Sequence, residues 1–144
     1  MHGGFWEQTM MSMNPAPRKI LIVDDEAAVA DSLHRIFSNR GYETRAVYSA
    51  EQAIETLAEW PPDLAIIDVM LPQMNGIELA GIIQGNYESC RILLISGHPG
   101  TSDLLSDAKA QGSSFDILAK PLHPTFILKT VADLLPGSQN GPDA

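Results

Sequence analysis

Four short runs along the chain are apolar at nearly every position, and each stops at a polar residue. They are "KILIVD" (19–24), "LAIID" (64–68), "RILLIS" (91–96) and "FDILAK" (115–120). Continuous runs of this length suit strands buried on both faces. "YETRAVYS" (42–49) is rich in β-formers and alternates, which predicts a further strand. Between the strands the period changes to that of a helix. Val29, Leu33, Ile36 and Phe37 mark a helix over 27–39 with Gly41 as its stop. Residues 50–60 predict a second helix, with Ile54, Leu57 and Ala58 inward and Pro61–Pro62 ending it. Residues 74–84 predict a third, carrying Ile77, Leu79, Ile82 and Ile83 and weakened by Gly81 and Gly85. Residues 101–111 predict a sparse fourth, with Leu104, Leu105 and Ala108 as its apolar anchors. The fifth, 123–135, places Ile127, Val131 and Leu134 on one side.

Strand and helix therefore alternate five times. That order predicts an α/β fold: a five-stranded parallel sheet, doubly wound, with right-handed crossovers. Residues 18–136 hold all of this periodicity and are expected to form one domain. The stretches 1–17 and 137–144 lack periodicity and are expected to be flexible tails.

Composition narrows the function. At 44% apolar, 144 residues can build a core, and no run approaches the roughly 20 apolar residues of a membrane span. The N-terminal stretch lacks the apolar segment of a secretory signal. Cys90 is the sole cysteine, which excludes an internal disulfide and fits a reducing, cytoplasmic setting. It is expected to pack at the start of the fourth strand. Eighteen acids against nine Lys and Arg argue against nucleic acid or an anionic membrane as a partner. His34 is expected as a partly buried helix residue, not a ligand.

In an open parallel sheet, ligands bind beyond the carboxyl ends of the strands. Those ends supply Asp24 and Asp25, then Asp68, Ser96 and Lys120. Asp24, Asp25 and Glu26 are consecutive acids at the end of a buried strand, so a positive partner is expected there. Carboxylates without a neighbouring Cys or His suit a hard cation such as Mg²⁺. A carboxylate beside Mg²⁺ can attack phosphorus. Lys120 can then neutralise one phosphoryl oxygen while Ser96 donates a hydrogen bond to another.

With "ILIVDDE", "DLAIIDVMLPQMNGIEL", "ILLISGH" and "LAKPL" in this order, the chain resembles the receiver domain of bacterial two-component response regulators, from about Arg18 to Leu135. The resemblance implies a flavodoxin-like (βα)5 fold with Asp68 as phosphoacceptor. It implies Mg²⁺ (or Mn²⁺) held by Asp25, Asp68 and the backbone carbonyl of Met70, with Asp24 holding metal-bound water. Ser96 and Lys120 would sense the phosphoryl group, Lys120–Pro121 would be a cis peptide, and Gly76 would let the loop after Asp68 turn tightly. The implied donor is a sensor histidine kinase or a histidine phosphotransfer protein, and the signal would leave through an unknown downstream protein. One position departs from the family: Ile117 stands where it usually has Tyr or Phe, and Phe115 lies two residues earlier. His98 and Met70 are further candidates to border the phosphoryl site.

Other phosphate folds fit less well. No G-x-G-x-x-G follows the first strand, as a dinucleotide site requires. The D-x-D of haloacid-dehalogenase-type phosphatases is missing, and acids replace a flavin-phosphate loop. The chain thus reads as a stand-alone receiver, not an enzyme in the ordinary sense. The alternatives are a phosphorylation-independent adaptor and a receiver excised from a larger regulator or hybrid kinase.

Overall fold

The computed structural model describes residues 16–97 and 115–136. Five strands, β1 (Lys19–Val23), β2 (Glu43–Val47), β3 (Leu64–Asp68), β4 (Arg91–Ser96) and β5 (Asp116–Ala119), form one sheet in the order β2-β1-β3-β4-β5. Every pairing is parallel. The described helices are α1 (Ala27–Ser38), α2 (Ala50–Glu59), α3 (Gly76–Asn86) and α4 (Pro124–Leu134). The helix expected at 101–111 and His98 lie outside the described residues, as do almost all of the two expected tails.

The apolar runs have a two-sided cause. Along β1, Leu21 and Val23 face one core while Ile20 and Ile22 face the other. Likewise Ala65 and Ile67 of β3 oppose Leu64 and Ile66. The first core is closed by α2 and α3 through Ala50, Ala53, Leu57, Leu79, Ala80 and Ile83. The second is closed by α1 and α4 through Ala30, Leu33, Phe37, Ile127, Leu128 and Val131. A strand with helices on both sides has no solvent face, so alternation disappears.

Several local expectations need correction. In α2 the buried residues are Ala50, Ala53 and Leu57, whereas Ile54 and Ala58 are exposed. Two alanines and a leucine carry the buried stripe of this helix, and Trp60 just beyond it, 6% exposed, donates its indole N–H to Glu43 at 2.9 Å. In α3, Leu79 and Ile83 are buried but Ile82 is exposed. His34 is exposed rather than partly buried, with its Nδ1 2.6 Å from the Thr44 hydroxyl. Leu33 and Phe37 claim the buried stripe of α1, leaving His34 one position off it.

The helix ends have visible causes. Ser49 caps α2 by accepting from the Gln52 N–H, and Asn75 caps α3 by accepting from Glu78. Gly41, with φ of 92°, takes the left-handed turn after α1 that a side chain would disfavour. Cys90 is buried immediately before β4, as expected. Its burial, with the Asp63 charge adding and a backbone hydrogen bond opposing, pushes the thiol up to about 12.

Candidate functional site

The parallel registers align the carboxyl ends of the strands. Val23 lies beside Ile67, Asp68 beside Ile95, and Ser96 beside Ala119. The next residues along therefore bring Asp24, Asp68 and Lys120 to one rim. Backbone hydrogen bonds extend the ladder to that rim: Asp24 N–H donates to Val47, Val69 to Ile95, and Lys120 to Ser96, at 3.2, 2.9 and 2.8 Å.

Three carboxylates converge. Asp24, Asp25 and Asp68 each offer an oxygen within 4.8 Å of the others. Asp24 and Asp68 are only 1% and 4% exposed, while Asp25 is exposed. Lys120 enters from β5, placing Nζ 3.2 Å from Asp24 Oδ2 and 3.3 Å from Asp68 Oδ2. It also meets Glu26 Oε1 at 3.1 Å. One ammonium thus serves several acids, and its hydrogen bonds go to Glu26 and Asp68. Asp24 Oδ2 is buried, has the ion-pair contact and accepts no hydrogen bond.

The charges respond to these surroundings. Burial raises the Asp24 carboxyl above its ordinary range, and Asp68 raises it further. The Glu26 N–H and Lys120 pull it back. Burial by itself would lower the Lys120 ammonium, but Glu26, Asp24 and Asp68 together hold it above the usual lysine range. An arrangement this rich in negative charge favours a cation.

The loop after Asp68 is held tightly. Met70 N–H donates to Asp68 Oδ1 at 3.1 Å, and Gly76 N–H donates to the Val69 carbonyl at 2.7 Å. A Cβ on Gly76 would overlap the Asp68 carbonyl oxygen and fall 2.9 Å from Ile67 Cγ2. Close approach, therefore, is what demands glycine here. The positive φ in this loop falls instead on Gln73, at 68°. The Lys120–Pro121 peptide is cis, as the resemblance implied.

Ser96 ends β4, half-buried, on the same rim. Ile117 is 39% exposed on β5, and Phe115 is partly buried against the α2–α3 core. Among the rim residues, sequence reasoning named Glu26 only as a like-charged neighbour. Its signal was its place: the last acid before a helix, free to point across the strand ends. A groove of about 880 Å³ adjoins the rim, lined by Val29, Leu33 and Ile36 of α1 and Pro124 and Ile127 of α4. Glu26 and Lys120 line it too. No described helix is long and apolar enough to cross a membrane.

Comparison with known proteins finds the same sequence family and the same fold. The sequence pattern of the response regulator receiver domain matches residues 20–132. Response regulator MprA of Mycobacterium tuberculosis is 30% identical over 117 residues, covering 81% of this chain and 50% of that protein. Response regulator protein FleR of Pseudomonas aeruginosa is 37% identical over 131 residues, covering 88% of this chain and 27% of that protein. The chain thus spans half the length of the first relative and about a quarter of the second. Among solved structures, the signal receiver domain of an HD domain-containing protein from Pseudomonas fluorescens Pf-5 superposes with a TM-score of 0.78 at 28% identity. That match covers 85% of this chain and 90% of the other. A CheY-like response regulator receiver domain protein from Methanospirillum hungatei JF-1 gives 0.75 at 25% identity, covering 83% and 94%.

Proposed function

The chain belongs to the response regulator receiver family of two-component signalling, and from that premise we propose that it accepts a phosphoryl group on Asp68. The donor is a sensor histidine kinase or a histidine phosphotransfer protein, and the signal leaves by protein–protein contact. On this reading the receiver domain occupies 18–136. It works in the cytoplasm without contacting nucleic acid or membrane.

The observation that carries the proposal is the meeting of Asp24, Asp25 and Asp68 beside one lysine. The side chains it gathers offer only carboxylate oxygens, and the buried Asp24 Oδ2 meets the Lys120 ammonium at 3.2 Å as its one charged partner among the described residues. Both features fit Mg²⁺ or Mn²⁺. Asp25, Asp68 and the Met70 carbonyl would hold the ion, with Asp24 holding its water. Bound there, the ion supplies Lewis-acid neutralisation of phosphoryl oxygens.

The chain's own residues do the rest. The Asp68 carboxylate attacks phosphorus, an O–P bond forms, and the P–N bond of the donor's phosphohistidine breaks, its electron pair staying on the imidazole nitrogen. Lys120, already 3.3 Å from Asp68 Oδ2, turns to the charge that arrives. Ser96 donates its hydroxyl to a phosphoryl oxygen. A donor has to rest on ground bordering Asp68, and the groove over α1 and α4 shares Lys120 with the rim.

Incubation with Mg²⁺ and a small phosphodonor, followed by intact mass, tests the proposal. The expected result is a gain of one phosphoryl group in the wild type and none in Asp68→Ala. An unchanged wild-type mass would instead favour a phosphorylation-independent adaptor. Metal binding is checked separately. Mg²⁺ at 10 to 100 times its Kd should stabilise the fold by roughly 1 to 3 kcal/mol, and Asp25→Asn should blunt the gain.

A further inference from the structure

The three carboxylates around Lys120 are not equivalent. Asp24 and Asp68 belong to the converging trio, whereas Glu26 does not. The Glu26 side chain is also the outermost, 64% exposed against 2% for Asp24 and 5% for Asp68. Its backbone is held firmly: the N–H donates to Asp24 Oδ1 at 2.9 Å, and the carbonyl accepts from Val29 and Ala30. Although Glu26 is the N-cap residue of α1, its side chain makes no capping bond. It reaches across to Lys120 Nζ instead, at 3.1 Å.

A divalent cation among the trio's carboxylates would be a close neighbour of Lys120, since Nζ lies 3.2 Å from an oxygen of Asp24 and 3.3 Å from one of Asp68. Cation and ammonium repel, and each oxygen given to the cation is withdrawn from the ammonium. Glu26 is the contact that the cation leaves free. We propose that Glu26 is a positioning residue that retains Lys120 at the lip of the site when the cation enters. The ammonium then neither contests Asp24 and Asp68 nor drifts into solvent, and it stays within reach of Asp68 when phosphoryl charge arrives. This role rests on reading the trio as the metal site.

The Glu26–Lys120 pair is exposed on one side, so its effect is modest. Glu26→Gln should weaken Mg²⁺ binding roughly 1.5- to 5-fold by titration calorimetry, the range typical of exposed ion pairs. The same change in a Lys120→Met background should have clearly less effect, because no ammonium remains to be held. An equal loss in both backgrounds would mean that Glu26 acts only through its charge on the cation, and would overturn the role. Glu26→Asp keeps the charge but shortens the arm, so it should bind Mg²⁺ like Glu26→Gln. Wild-type affinity in Glu26→Asp would likewise overturn it. Because Glu26 caps nothing with its side chain, these changes leave α1 its existing hydrogen bonds. Absent Mg²⁺ binding in the wild type would overturn the metal site and this role together. Normal wild-type binding without coupling would overturn the Glu26 role alone.

Discussion

Gly76→Ala adds one methyl group at a place where three atoms already stand. Its Cβ would overlap the Asp68 carbonyl oxygen and sit 2.9 Å from both the Asp68 carbonyl carbon and Ile67 Cγ2. None of these can recede cheaply. Asp68 and Ile67 belong to β3, paired with β4 on one side and, through Ile67, with β1 on the other. The start of α3 is tied down by the 2.7 Å hydrogen bond from Gly76 to Val69 and by the Asn75 cap. The overlap is mainly with backbone, so the cost should lie at the upper end for overpacking, about 3 kcal/mol. For a domain of this size that corresponds to a fall in Tm of roughly 10 °C. Urea unfolding measures it directly. Gly81→Ala and Gly85→Ala supply the contrast, because beyond the helix's own neighbouring backbone no described residue lies within 4 Å of a Cβ at either position. Those substitutions should be neutral or stabilising by up to about 1 kcal/mol, since alanine favours the helix. Gly76→Ala should also weaken Mg²⁺ binding, because the shifted carbonyl belongs to the residue that would hold the ion. A Gly76→Ala variant within about 0.5 kcal/mol of wild type, the range of a neutral surface change, would refute the reasoning. So would a Gly81→Ala variant as unstable as Gly76→Ala.

Lys120→Ala should still bind Mg²⁺ and take up phosphoryl, yet fail to change hydrogen-exchange protection afterwards. Lys120→Arg should not restore the response, because a planar fork does not replace a compact ammonium; a normal response in either variant would argue against the role. Cys90 provides a pH test. Its folded thiol is raised from 9.0 to about 12, so the unfolded chain loses that proton first and the stability contribution is intact below pH 9. Between pH 9 and 12 the wild type should lose up to about 1.4 kcal/mol per pH unit more than Cys90→Ala, and parallel stability curves would contradict the assigned burial. Phe115 precedes β5, whose register pairs Asp116 with Leu93 and Ala119 with Ser96. Its backbone is therefore about 13 Å along the strand from the rim. Phe115→Leu should leave the response to beryllofluoride and Mg²⁺ intact, and a lost response would show that the ring couples to Ser96 after all.

Hydrophobic patterning by itself determined the strands, the parallel sheet and its two covering layers. A strand packed on both faces must be apolar at successive positions, and "LAIID" spans the observed β3 residue for residue. The rim residues were legible for a related reason: a polar residue ending such a run has nowhere to be except the edge of the sheet. Helix phase was less legible. Ile54 is more hydrophobic than Ala53, but α2 turns Ala53 inward and leaves Ile54 39% exposed. That choice is made by packing against the rest of the core, which no local pattern encodes. Gly76 was recognisable as necessary, yet its reason, contact with the carbonyl of Asp68, required two segments to meet in space. The pairing of Glu26 with Lys120 joins residues 94 positions apart. Chain order places an acid before α1 and a lysine after β5. Only the sheet, by setting β1 and β5 on either side of β3 and β4, lets their side chains reach the same point.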